Sequence, residues 1–188
     1  FVRVGLEELV ERWGVHLGQN VVLDPRRGLP SGGLVWKTDR YAGHPITSRM
    51  TGSPTVWPLA REVRGIPRPG LTVTDLVTAS EEGWGEASLG SFDGDAEPRF
   101  DAGTDVKGPV PVAAAVEDAA QGTRLVVFGS PALVANARRD LEAAYNRDLF
   151  MNAAGWVVGR SHLVGGIGPK ATEHVRLSVT GSQLYAIG

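Results

Sequence analysis

Leu6, Leu9, Val10 and Trp13 fall at i, i+3, i+4 and i+7, the spacing of one apolar helical stripe, and Gly14 closes the run. Val21 to Leu23, ended by Asp24-Pro25, predicts a short buried strand. From Pro25 to Met50 Gly, Pro, Ser and Arg dominate, so a long irregular connection is expected. Pro54 to Val63 has strand-forming residues around Pro58, which suits an edge strand or a bulge, and Leu71 to Ser80 is a second strand signal before a Gly-Trp-Gly turn. The segment from Ser88 to Lys107 is acidic, Gly-rich and poor in aliphatic residues, the pattern of a mobile loop. Val110 to Glu117 and Thr123 to Ser130 predict two strands joined at hairpin length. Two helical patterns follow, the first with Pro131 at its start and the second with Leu149, Asn152, Ala153 and Trp156 on one face. Strands and then helices predict the closing part of a layered α/β sheet, a single domain over residues 1–160. Residues 161–188 read as an extended tail with one alternating strand, Val175 to Val179.

Composition narrows the function classes. In 188 residues, 19 Lys and Arg oppose 21 Asp and Glu, which gives no field to hold nucleic acid or anionic lipid. The absence of cysteine removes disulfides, thiolate zinc sites and cysteine nucleophiles. No apolar run reaches the roughly 20 residues of a membrane span. The chain starts at Phe1 and stops after "QLYAIG", as expected of a soluble piece of a longer protein. No phosphate-cradling glycine motif follows a strand. "GSFDG" puts Ser91 one place too early for a nucleophile elbow. His16, His44, His162 and His174 are scattered, so no metal site is expected. Counting twelve residues from Asp93 puts Pro98 and Thr104 where a calcium loop needs Gly and Glu, which excludes an EF-hand. Trp13 and Trp156 belong to helical core faces, whereas Trp36, Trp57 and Trp84 could equally pack inward or stack on a sugar.

"YAGHPIT", residues 41–47, admits two readings. As a turn, Gly43 supplies backbone freedom, Pro45 fixes φ and Tyr41 packs over it. As a site, His44 with Tyr41 and Thr47 points into a cleft at the sheet end, where open α/β sheets bind ligands.

The ordered set "LEELVERWGVHLGQNVVLD", "YAGHPIT", "LVTASEEGWGE", "FDAGTDVKGPVPVAAAVE", "RLVVFGSPALVAN" and "NRDLFMNAAGWVVG" resembles the auxiliary proteins of uncharacterised ABC-type transport systems, the GldG-like gliding-motility group. The resemblance implies a three-layer α/β domain, flavodoxin-like or glutamine-amidotransferase-like. It also implies a periplasmic or extracytoplasmic location on a membrane-anchored parent, ABC-transporter membrane subunits as partners, and a glycan or other small ligand. The tail is similar to the family's membrane-proximal segment. Ser130 departs from the family's acidic residue after the strand glycine, while Asn136, Asn146 and Asn152 keep its Asn-rich pattern. The family's earlier strand-helix-strand unit has no counterpart here, so the sheet is expected to be incomplete, with an edge free for a homodimer.

The leading expectation is a non-enzymatic ligand-binding or interaction domain without cofactor, its cleft lined by Tyr41, His44, Thr47, Trp84 and Ser130. One alternative is a hydrolase or transferase with His44 as general base and an acidic partner from the Asp93 to Asp105 loop. Another is a structural scaffold.

Overall fold

The computed structural model describes residues 5–28, 33–88, 98–134 and 145–159. The expected helix-flanked, three-layer α/β sheet is not what these residues build. They form ten short strands in four antiparallel sheets, with two helices: α1 (Glu7–Arg12), β1 (Val15–Leu17), β2 (Val21–Leu23), β3 (Val35–Thr38), β4 (Thr55–Pro58), β5 (Val63–Gly65), β6 (Thr72–Thr78), β7 (Trp84–Glu86), β8 (Val106–Lys107), β9 (Pro111–Asp118), β10 (Thr123–Phe128) and α2 (Asn146–Val157). A flavodoxin-like sheet needs parallel strands joined by helical crossovers of a dozen residues or more. Here the described strands all pair antiparallel, and the layered α/β expectation came from helical patterns following the last two strands.

The organising sheet runs β10-β9-β6. β9 lies in its middle, and its first six residues, Pro111 to Val116, are buried. Alternation sends Ala114 and Val116 to one face, with Leu125 and Val127 of β10, onto Val10, Val15 and Val63. The other face carries Ala113, Ala115, Val126 and Phe128 against Leu149, Ala153 and Trp156 of α2 and against Trp36 and Trp57. In β6 the register shifts around Asp75 to Thr78, which lets the neighbours Leu76 and Val77 both join the α2 side.

The smaller sheets are stitched to one another and to this one by backbone hydrogen bonds rather than by further strands. Gly18 N–H donates to Glu62 O at 3.0 Å, Val22 N–H to Ala60 O at 2.7 Å, Arg61 N–H to Gly129 O at 2.9 Å, and Ala79 N–H to Val110 O at 2.9 Å. β3 and β4, expected as irregular chain and as an edge segment, pair with Trp36 opposite Trp57, the rings stacked with centroids 6.3 Å apart and both fully buried. Pro58 closes β4, and β4 pairs only with β3 among the described residues, consistent with the edge position read from proline.

Two helical expectations change. α1 is six residues long and buries only Val10, with Trp13 half-buried, while Leu6 and Leu9 of the same stripe are more than half exposed. The pattern after Pro131 begins as a 3₁₀ turn, Pro131–Val134, and its continuation lies outside the described residues. So do Asp93, Asp95 and Glu97 of the acidic loop and the whole tail from residue 160. No helix among the described residues is long and apolar enough to cross a membrane.

Candidate functional site

The loop at 41–47 is a turn built from its own side chains. Successive backbone bonds, Thr47 N–H to His44 O, Met50 N–H to Thr47 O and Ser53 N–H to Met50 O, each 2.9 Å, coil the chain, and Ile46 and Met50 anchor it in the core. Thr47 is buried, and its hydroxyl donates to Ala42 O at 2.6 Å. Tyr41 bridges to Val77 of β6, and its hydroxyl lies 2.6 Å from Ser53 O and 3.2 Å from both Thr38 O and Thr55 Oγ1. Burial pushes that phenol up to about 12, so it keeps its proton and donates inward.

His44 faces α2. Its Nδ1 accepts from Ile46 N–H at 3.2 Å, and its ring meets Trp156 edge-on with centroids 4.9 Å apart. The Arg124 guanidinium also lies 4.9 Å from the Trp156 ring, donates to Trp156 O at 2.8 Å, and pairs with Glu117 at 2.8 Å. Burial holds the imidazole below the ordinary histidine range; Glu117 opposes that shift and Arg124 adds to it. The charges His44 feels are therefore those of the β9-β10 hairpin. Of the loop acids expected to serve it, Asp105 accepts from Ala87 N–H and Asp101 N–H, and Asp101 accepts from Gly103 N–H, so both brace their own loop.

Trp84 and Ser130 lie elsewhere. Trp84 is buried in β7 against Val21 and Leu23, its indole N–H donating to Glu86 at 3.2 Å. With its ring covered, it offers no face for sugar stacking, and the same holds for fully buried Trp36 and Trp57. Ser130 donates to Pro58 O at 2.6 Å and ties the end of β10 to the end of β4. The structure thus keeps Tyr41, His44 and Thr47 together on one turn, and places Trp84 and Ser130 in two other packing sites. Each of the five puts a polar atom into an internal hydrogen bond.

The surface with binding character is at α1. A cleft of about 350 Å³ lies between Leu6 and Val10 of α1, Leu17 of β1, and Val127, Phe128 and Pro131 at the end of β10. Arg61 also lines it; its guanidinium donates to Gly18 O at 2.9 and 2.6 Å and lies 3.6 Å from Glu7. The wall depends on Gly129, where a Cβ would sit 2.2 Å from Arg61 O; glycine lets the two backbones meet. Leu17 also borders a neighbouring cleft lined by Glu7, Glu11, His16 and Gln19. The Glu8 and Glu11 carboxylates form no ion pair among the described residues. Sequence reasoning saw Leu6 and Leu9 but assigned them to the core; the one available signal was the shortness of a helix with three glutamates in six residues.

A third cleft, of about 270 Å³, holds Asp75 beside Arg68 and Val73. Burial raises the Asp75 carboxyl above its ordinary range, countered by the Gly65 N–H it accepts at 2.7 Å and by Arg64. No group of three His, Asp or Glu among the described residues could hold a metal ion.

Compared with known proteins, the chain matches no family, no curated protein and no solved structure.

Proposed function

We propose that the chain is a partner-binding domain of an ABC-type, gliding-like membrane transport assembly, working on its extracytoplasmic side. The family and the compartment rest on the ordered motifs from Leu6 onward. The binding role rests on one observation: an apolar cleft beside exposed Leu6 and Leu9, next to a cleft whose Glu11 has no ion-pair partner among the described residues. Apolar walls beside the Glu11 carboxylate complement an amphipathic segment that seats an apolar side chain in the first cleft and a Lys or Arg in the second. A membrane subunit of the transporter is the partner this reading assigns. The ring faces of Trp36, Trp57 and Trp84 being covered, a protein segment suits the exposed surface better than a glycan does.

Site-specific photo-crosslinking tests it. A photoreactive side chain at Leu9 is expected to capture a transporter membrane subunit in cells that make the whole assembly. Leu6→Asp or Glu11→Lys should weaken capture about tenfold or more. Capture absent, or indifferent to both substitutions, overturns the assignment.

A further inference from the structure

Among the described residues β10 pairs only with β9, so its other side is an open row of backbone donors and acceptors. Every residue of β10 is partly exposed, although Leu125 to Phe128 is an unbroken apolar run. Open strand edges are ordinarily blunted by an outward Lys, a proline or a bulge. β10 has none of these: its single charge, Arg124, is turned inward onto Glu117 and Trp156 O, and its register with β9 is regular from Thr123 to Phe128. Above this edge stands the flank of α2. Phe150 and Val157, seven residues apart and each 41% exposed, share one helical flank, and Phe150 meets Phe128 at 6.4 Å.

We infer that this edge is the seam of a symmetric dimer, β10 pairing antiparallel with β10 of a second copy to make a six-stranded sheet. The sequence of the strand selects that occupant. Residues opposite one another in a sheet share a face, so a two-fold through Val126 sets Leu125 against Val127 on one face and Arg124 against Phe128 on the other. Leu125 and Val127 then extend the apolar layer of the α1 side across both copies. On the α2 side the two Arg124 groups are kept apart by Phe128, and each is neutralised by its own Glu117, so no like charges meet across the axis. The same two-fold keeps both α2 helices on one side of the joined sheet, where the Phe150 and Val157 flanks can cover each other. This contact shares Val127 and Phe128 with the α1 cleft, but it does not rest on the transporter reading.

The chain has no cysteine, so a single introduced one is a clean probe. In sedimentation velocity the full chain is expected to dimerise reversibly in the micromolar range. Val126→Cys should form a disulfide-linked dimer on mild oxidation, whereas Ser48→Cys, on the exposed turn, should not. The double variant Phe150→Lys/Val157→Lys changes only partly exposed positions; it should keep the parent's circular dichroism and weaken association about tenfold or more. A monomer at every concentration, or a dimer unaffected by the double variant, overturns the seam. So does equal cross-linking at positions 126 and 48.

Discussion

His44 shows what the packing of one side chain decides. Its Nδ1 accepts a backbone N–H, its ring lies against Trp156, and burial with Arg124 nearby lowers its proton affinity. The unfolded imidazole titrates near pH 6.5, so below about that pH the unfolded chain binds a proton that the folded chain resists. Stability contributed by neutral His44 is therefore present above the unfolded value and lost as pH falls toward the folded one. His44→Asn keeps an acceptor for Ile46 N–H and cannot titrate. In urea unfolding, the parent should lose more stability than this variant between about pH 7.5 and 5.5; equal losses would remove the argument. The turn itself was legible from Gly43 and Pro45. What could not be read was the direction of Tyr41 and His44, because their partners Ser53, Thr55 and Trp156 come from 12, 14 and 112 positions away.

At the scale of elements, local pairing was legible and distant pairing was not. The β9-β10 hairpin and α2 follow from patterns contained within one stretch of chain. β1, β3 and β7 are three or four residues long, too short for a period to show, and exist because β5, β4 and β2 supply partners. The stripe of α1 was also visible, but its surroundings were not, which is why Leu6 and Leu9 were expected inside. One side chain couples two of these elements. Asn146, at the start of α2, accepts from Val56 N–H at 2.7 Å and donates to Val56 O at 2.8 Å and Leu133 O at 3.0 Å, pairing with β4 as a strand would. Asn146→Ala leaves three buried backbone groups without this partner and should destabilise by about 2–4 kcal/mol. A loss below about 0.5 kcal/mol in denaturant unfolding would show that the amide is dispensable.

Taken whole, the molecule is a set of small sheets sharing one central layer. Because alternate residues of β9 enter the apolar clusters on both of its faces, neither cluster has a wall of its own. The expected result is one cooperative transition, with far-ultraviolet dichroism and tryptophan fluorescence superimposing on denaturation. Separated midpoints would show that the two faces melt independently. The flavodoxin-like expectation failed at this scale for a physical reason: strand and helix content can be counted along a chain, but whether strands run parallel depends on crossovers that a local pattern does not contain. The Asn146 clamp carries a further consequence, for the protein's chemical ageing. Asparagine is among the thermolabile side chains. Hydrolysis of this one amide would put a carboxylate oxygen against the carbonyls of Val56 and Leu133, turning the contact between α2 and β4 from attraction to repulsion by the exchange of an NH₂ group for an oxygen.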